Sequence, residues 1–146
     1  MARRLLPLLL CLGALLLPAR ECLAELVVIA NAKSGVERLG REEVVNIFLG
    51  RFRQLPSGMT ALPADLPAGS AEKEAFYRLL VNKDLADINA YWARLVFSGR
   101  TSPPRQMRGE ADLLRFVSET PGAVGYLERA HLDSRVRVVF EFSAER

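Results

Sequence analysis

Leu26-Val27-Val28-Ile29-Ala30 is the stretch that most narrows what this chain can become. An unbroken apolar run with several β-branched members has no face fit for water, so a strand formed here must be covered on both sides. A half-wet antiparallel sheet would alternate polar and apolar residues instead. The run therefore predicts a mainly parallel sheet sandwiched between helices, and the rest of the chain has to supply those helices.

It does so in alternation. Asn31 to Gly40 is polar and reads as a loop, and Arg41 to Leu49 carries Val44, Ile47 and Phe48 on one helical face, with Gly50 as the stop. Arg51 to Gly58 is rich in turn residues. Thr60 to Pro63 reads as a short second strand whose end the proline weakens. Ser70 opens a helix running to Val81, with Phe76, Leu79 and Leu80 facing inward. Asp84 caps another, in which Leu85, Ile88, Tyr91, Trp92, Leu95 and Val96 recur at core spacing. Ser98 to Gly109 is a polar loop with two prolines. A fourth helix spans Glu110 to Ser118, a third strand Ala123 to Leu127, and a last strand Val136 to Phe142. Strands alternating with helices predict a three-layer helix-sheet-helix α/β domain.

The first two dozen residues stand apart from this pattern. Arg3 and Arg4 precede an apolar run from Leu5 to Leu17, Pro18 ends it, and Cys22-Leu23-Ala24 offers small residues at a cleavage position. The run is too short for a membrane span, which needs ~20 residues, so residues 1–24 read as a cleavable signal and 25–146 as one domain. Neither Cys11 nor Cys22 has the small residue before it that a lipid-transfer site needs. Both cysteines leave with the signal, which excludes disulfide and thiol chemistry from the remainder. Arg3, Arg4 and Arg20 leave too, against Glu21 alone, so the formal +3 of the whole chain falls close to neutrality. The basic balance is then no argument for nucleic acid.

Catalytic chemistry finds little to build on. The single histidine, His131, sits in a loop beside Leu132 and Asp133, where a solvated role is expected. Glu72 and Glu74 are two apart on a helix and point away from each other; in a first turn they favour the helix dipole. No spacing suits a metal or a phosphate loop of the Walker type. The expectation is a protein that is not an enzyme and that uses no cofactor or metal.

Two features read as binding chemistry. One is Pro67-Ala68-Gly69-Ser70-Ala71-Glu72, a loop that opens directly into a helix. The first N–H groups of a helix lack internal partners and carry partial positive charge, so such a start can cradle an anion. The other is arginine. Arg51 and Arg53 follow the first helix, and Arg100, Arg105 and Arg108 lie in a stretch from Ile88 to Gly109 that contains no acid. They are read as a solvated loop or as a contact surface for an acidic partner.

Three stretches together resemble the phosphate-type periplasmic substrate-binding proteins of ABC uptake systems. They are Arg41 to Gly50 with Arg51, Gly69-Ser70 through Glu74-Ala75-Phe76, and Thr120-Pro121-Gly122-Ala123-Val124-Gly125-Tyr126. The resemblance implies one lobe of a type-2 periplasmic-binding-protein-like fold, where the family has two lobes closing on the ligand. It also implies that Ser70 stands at the phosphate-contacting serine. Ala71 stands in place of the family's glycine and Glu72 in place of its threonine, and the family's upstream arginine falls near Leu66.

Two functions follow as expectations. The first is a periplasmic domain binding phosphate or another small anion through Gly69, Ser70, Ala71 and Glu72, with Lys33 and Ser34 of the Asn31 to Gly35 loop as the neighbouring wall. The second is a periplasmic interaction or sensory module that keeps the lobe without the ligand. In it the five arginines would be the contacts and Glu72 a built-in substitute for the anion. Neither reading calls for stable membrane insertion once the signal is removed.

Overall fold

The structure, a computed structural model, describes residues 25–145; the expected signal, residues 1–24, lies outside them. In chain order the elements are β1 (Leu26–Asn31), α1 (Arg41–Phe48), β2 (Leu62–Asp65), α2 (Ala71–Val81), α3 (Leu85–Phe97), β3 (Arg105–Gln106), α4 (Glu110–Glu119), β4 (Ala123–Glu128) and β5 (Val136–Glu141). Short 3-10 turns follow β4 and β5, at Arg129–His131 and Phe142–Glu145. The strands form a single sheet in the order β3-β2-β4-β1-β5.

β1 is buried along its whole length, as its composition requires. Its direction is not the expected one. β2 pairs in parallel with β3 and with β4, whereas β1 is antiparallel to both of its neighbours, β4 and β5. The apolar run reports cover on both faces, and helices provide that cover whichever way the neighbouring strands run. β1 is thus a reversed strand in an otherwise co-directional sheet.

The layers can be read from two adjacent residues of β4. A Cβ placed on Gly125 would come within 2.7 Å of Leu113 and 3.2 Å of Val117, so α4 lies tightly on that face. Tyr126 points the other way and stacks on Phe76 of α2 with centroids 3.8 Å apart, meeting Phe48 of α1 at 5.9 Å. Each of these buried rings contributes roughly 1.5–3 kcal/mol through the apolar area it removes from water. The sheet therefore sits between α4 on one side and α1 and α2 on the other, which is the helix-sheet-helix arrangement.

The local signals mostly hold. The Ser70 and Asp84 side chains cap α2 and α3, accepting from the N–H groups of Lys73 at 3.2 Å and Asp87 at 2.8 Å. Gly50 ends the first helical segment at φ 67, where a side chain would meet Trp92 at 2.8 Å. β2 begins and ends two residues later than expected. Pro63 is tolerated inside it because β3 pairs only with Ala64 and Asp65, leaving the proline's missing N–H on an unpaired side. β3 itself lies in the expected loop, too short and too polar to show a strand pattern. Leu79 and Val96, expected inward, are about half exposed. Among the described residues no helix is long and apolar enough to cross a membrane.

Candidate functional site

The sheet's two ends differ. β2 and β4 are parallel, so Asp65 and Glu128 mark the same end, and the antiparallel register of β1 places Leu26 opposite Glu128 there. The start of α2 follows Asp65 directly. The start of α4 reaches the same end, because Glu110 accepts the Glu128 N–H at 3.1 Å. Two helix N-termini thus converge on the ends of β2 and β4, where open α/β sheets place their ligands.

Directly beneath lies a buried polar cluster. Asp65, 4% exposed, accepts hydrogen bonds from the Tyr77 hydroxyl at 2.7 Å, from the Tyr126 hydroxyl, and from the Leu66 N–H at 2.9 Å. The Lys73 ammonium lies 3.4 Å from the same carboxylate and is itself 9% exposed. Burial, reinforced by the neighbouring Asp65 charge, pushes both tyrosine hydroxyls well above their ordinary pKa, so they remain donors. Every member has a partner, which is the condition for carrying charge in a core. Sequence reading missed this cluster. The available signal was an acid closing an apolar strand just before a helix, with a lysine and tyrosine following on that helix.

Above it, the first turn of α2 is open. Ser70 is engaged in capping, but the N–H groups of Ala71 and Glu72 have no acceptor among the described residues. Nothing lies within 4 Å of where a Gly69 side chain would project. The Glu72 carboxylate stands at this turn, half-exposed. His131 enters from the turn after β4 and pairs through Nδ1 with Glu110. That bond, then the charges of Glu110, Glu128 and Glu72, hold its imidazole above the usual histidine pKa. The loop histidine is therefore an ion-pair partner at this end of the sheet. Among the described residues no histidine, cysteine and carboxylate group suits a metal ion.

The other expected residues lie elsewhere. Because β1 is reversed, the Asn31 to Gly35 loop emerges at the opposite end of the sheet, so Lys33 and Ser34 are not brought to Ser70. That loop is closed on itself and on α4. Asn31 donates to the carbonyls of Val117 and Ser118 at 2.8 and 3.0 Å and accepts from the Lys33 N–H at 2.8 Å. The arginines separate into two groups. Arg53 donates to Ser102 O at 2.6 Å and lies over Trp92, Arg105 lies over Phe116, and Arg108 faces Asp112 at 3.8 Å. The guanidinium groups of Arg51 and Arg100 have no such partner among the described residues. Two surface grooves, of about 300 and 390 Å³, line α1 with residues 52–58 and residues 37–40 with β5; neither includes the α2 start.

No protein-family model and no curated protein sequence matches the chain. Solved structures do. A putative phosphate ABC transporter substrate-binding protein with bound phosphate, from Clostridium perfringens, superposes with a TM-score of 0.64 at 16% identity, over 80% of this chain and 44% of that one. An ABC-type phosphate transport receptor from Vibrio cholerae gives 0.63 at 15% identity, over 80% and 45%. PstS from Borrelia burgdorferi gives 0.61 at 12% identity, over 80% and 46%. These neighbours are binding proteins rather than enzymes, and the chain spans less than half the length of each. What it shares with the phosphate-transport binding proteins is their α/β fold, over that part of their length.

Proposed function

We propose that this chain is an extracytoplasmic solute-binding domain, delivered by its N-terminal segment, that takes phosphate at the first turn of α2. The observation that carries the reading is the pair of unclaimed backbone donors, Ala71 and Glu72 N–H, at the ligand end of the sheet. The fold likeness to a phosphate-bound protein supports it. Lys33 and Ser34 have no part in the site because they lie at the far end.

Glu72 decides which anion fits. Two unit charges at 4 Å repel by about 4 kcal/mol at an effective dielectric of 20, which weighs heavily against a dianion. Monoanionic phosphate carries O–H groups, and Glu72 can accept one of them while the backbone N–H groups donate to the remaining oxygens. Sulfate has no proton to give near neutrality. The site thus favours phosphate over sulfate and favours it more as pH falls, when the monoanion gains population and His131 adds positive charge nearby.

Calorimetry on residues 25–146 tests this with phosphate and sulfate as titrants. The native domain is expected to bind phosphate, more tightly on the acid side of neutrality, and to ignore sulfate. Glu72→Thr should admit sulfate and weaken the pH preference, leaving only the part that His131 supplies, and Lys33→Ala should change neither. Absence of phosphate binding in both the native and Glu72→Thr proteins would overturn the proposal.

A further inference from the structure

We infer that the last turn of α3 is a docking surface for an acidic protein partner, separate from the anion site and independent of it. Phe97 is 98% exposed and Val96 beside it 53%. The helix explains why Phe97 has no place in the core. Leu85, Ile88, Trp92 and Leu95 form its inward face. Phe97, two residues beyond Leu95, is rotated roughly 200° from it at 100° per residue. Ala93, one turn earlier on the same outward face, is exposed and adds no bulk, so a partner can approach closely.

Charge identifies the partner. From Ile88 to Gly109 the chain has Arg94, Arg100, Arg105 and Arg108 and no acid. Arg105 lies over Phe116 and Arg108 faces Asp112, but the guanidinium groups of Arg94 and Arg100 have no acceptor among the described residues. Arg94 precedes Phe97 by three residues on the helix, and Arg100 follows it past the left-handed turn at Gly99. An exposed aromatic ring flanked by two unneutralised guanidinium forks complements an apolar pocket rimmed with carboxylates. An anionic membrane offers the same sign of charge. Two neighbouring apolar side chains give it little to hold, since even one long acyl chain anchors only marginally.

The test places the photoreactive residue p-benzoylphenylalanine at Phe97 in the full-length chain, in cells of the source organism, with the same residue at Phe52 as a control. The expected result is one protein adduct specific to position 97, mapped by mass spectrometry to an Asp- or Glu-rich surface. Its yield should fall about tenfold with Arg94→Glu plus Arg100→Glu and fall clearly less with the lysine pair, which keeps the charge without the fork. Circular dichroism and melting of each variant, expected to match the native protein, separate lost docking from lost folding. No adduct, an adduct indifferent to charge reversal, or an adduct with a second copy of this chain would overturn the inference. So would Arg94-dependent sedimentation with phosphatidylglycerol vesicles, which would assign the surface to a membrane. Phosphate calorimetry on Phe97→Asp should be unchanged, so failure at one surface does not imply failure at the other.

Discussion

Asp65 and Glu72 are seven residues apart at the same end of the same sheet, and their surroundings give them opposite roles. Asp65 is enclosed by two tyrosine hydroxyls, a backbone N–H and the Lys73 ammonium. Glu72 is half-exposed beside unclaimed backbone donors. The inner carboxylate has taken the donors that surround it and cannot serve a ligand. The outer one is a charge that any arriving anion must meet. Lys73 makes the division sharper: it is one residue from Glu72 in sequence, yet its ammonium points down to Asp65. The only lysine of the first turn is therefore a structural group, and the anion site proposed above it has only backbone donors to work with.

Mutations should separate the two carboxylates cleanly. Asp65→Asn strands a buried ammonium, and removing one partner of such a pair costs about 3–5 kcal/mol. Urea unfolding should show a large fall in midpoint with little change in slope. Tyr126→Phe removes one donor to the carboxylate and should cost about 1.5–3 kcal/mol by the same measurement, the value expected for a hydrogen bond to a charged group. If Asp65→Asn cost less than the tyrosine variant, the ion pair would not be what holds the strand end to α2.

How much of this was legible in the sequence follows the same division. The apolar run of β1, the caps at Ser70 and Asp84 and the stop at Gly50 are local signals, and each acts where its residues stand. The layer order followed from them. Strand direction did not, because burial on both faces is indifferent to it, and that error carried Lys33 and Ser34 to the wrong end of the sheet. The Asp65 cluster joins residues from β2, α2 and β4, and no spacing along the chain marks such a meeting. The arginines illustrate the same limit. Composition showed a stretch without acids, but only the fold shows that Arg53, Arg105 and Arg108 are occupied while the guanidinium groups of Arg51 and Arg100 have no partner among the described residues. The exposed end of α3 was hidden by helical periodicity itself, which assigned Val96 inward although the inward face ends at its neighbour Leu95.

Glu72→Thr should leave stability within about 0.5 kcal/mol of the native value, as for other surface substitutions. Its effect should appear in the ligand: removing the carboxylate should raise sulfate and dianionic phosphate affinity by about tenfold or more, given the repulsion expected at contact distance. A destabilisation comparable to that of Asp65→Asn would mean that Glu72 also holds the fold, and the contrast between the two acids would collapse.

The smallest effect sets the finest limit on that contrast. His131 is the only histidine in the sequence, so its titration can be followed by NMR without ambiguity. Its pKa is raised in the folded state chiefly by Glu110, with Glu72 the last of the contributing charges. A raised folded value means that the ion pair favours folding fully below the unfolded histidine pKa and that this contribution is lost as pH rises through the folded one. Glu110→Gln should bring the titration midpoint back toward the ordinary value of about 6.5. Glu72→Thr should move it the same way by much less. An equal displacement in the two variants would place Glu72 in a working pair with His131, its charge already compensated. Its argued preference for protonated phosphate over sulfate would then lose its cause.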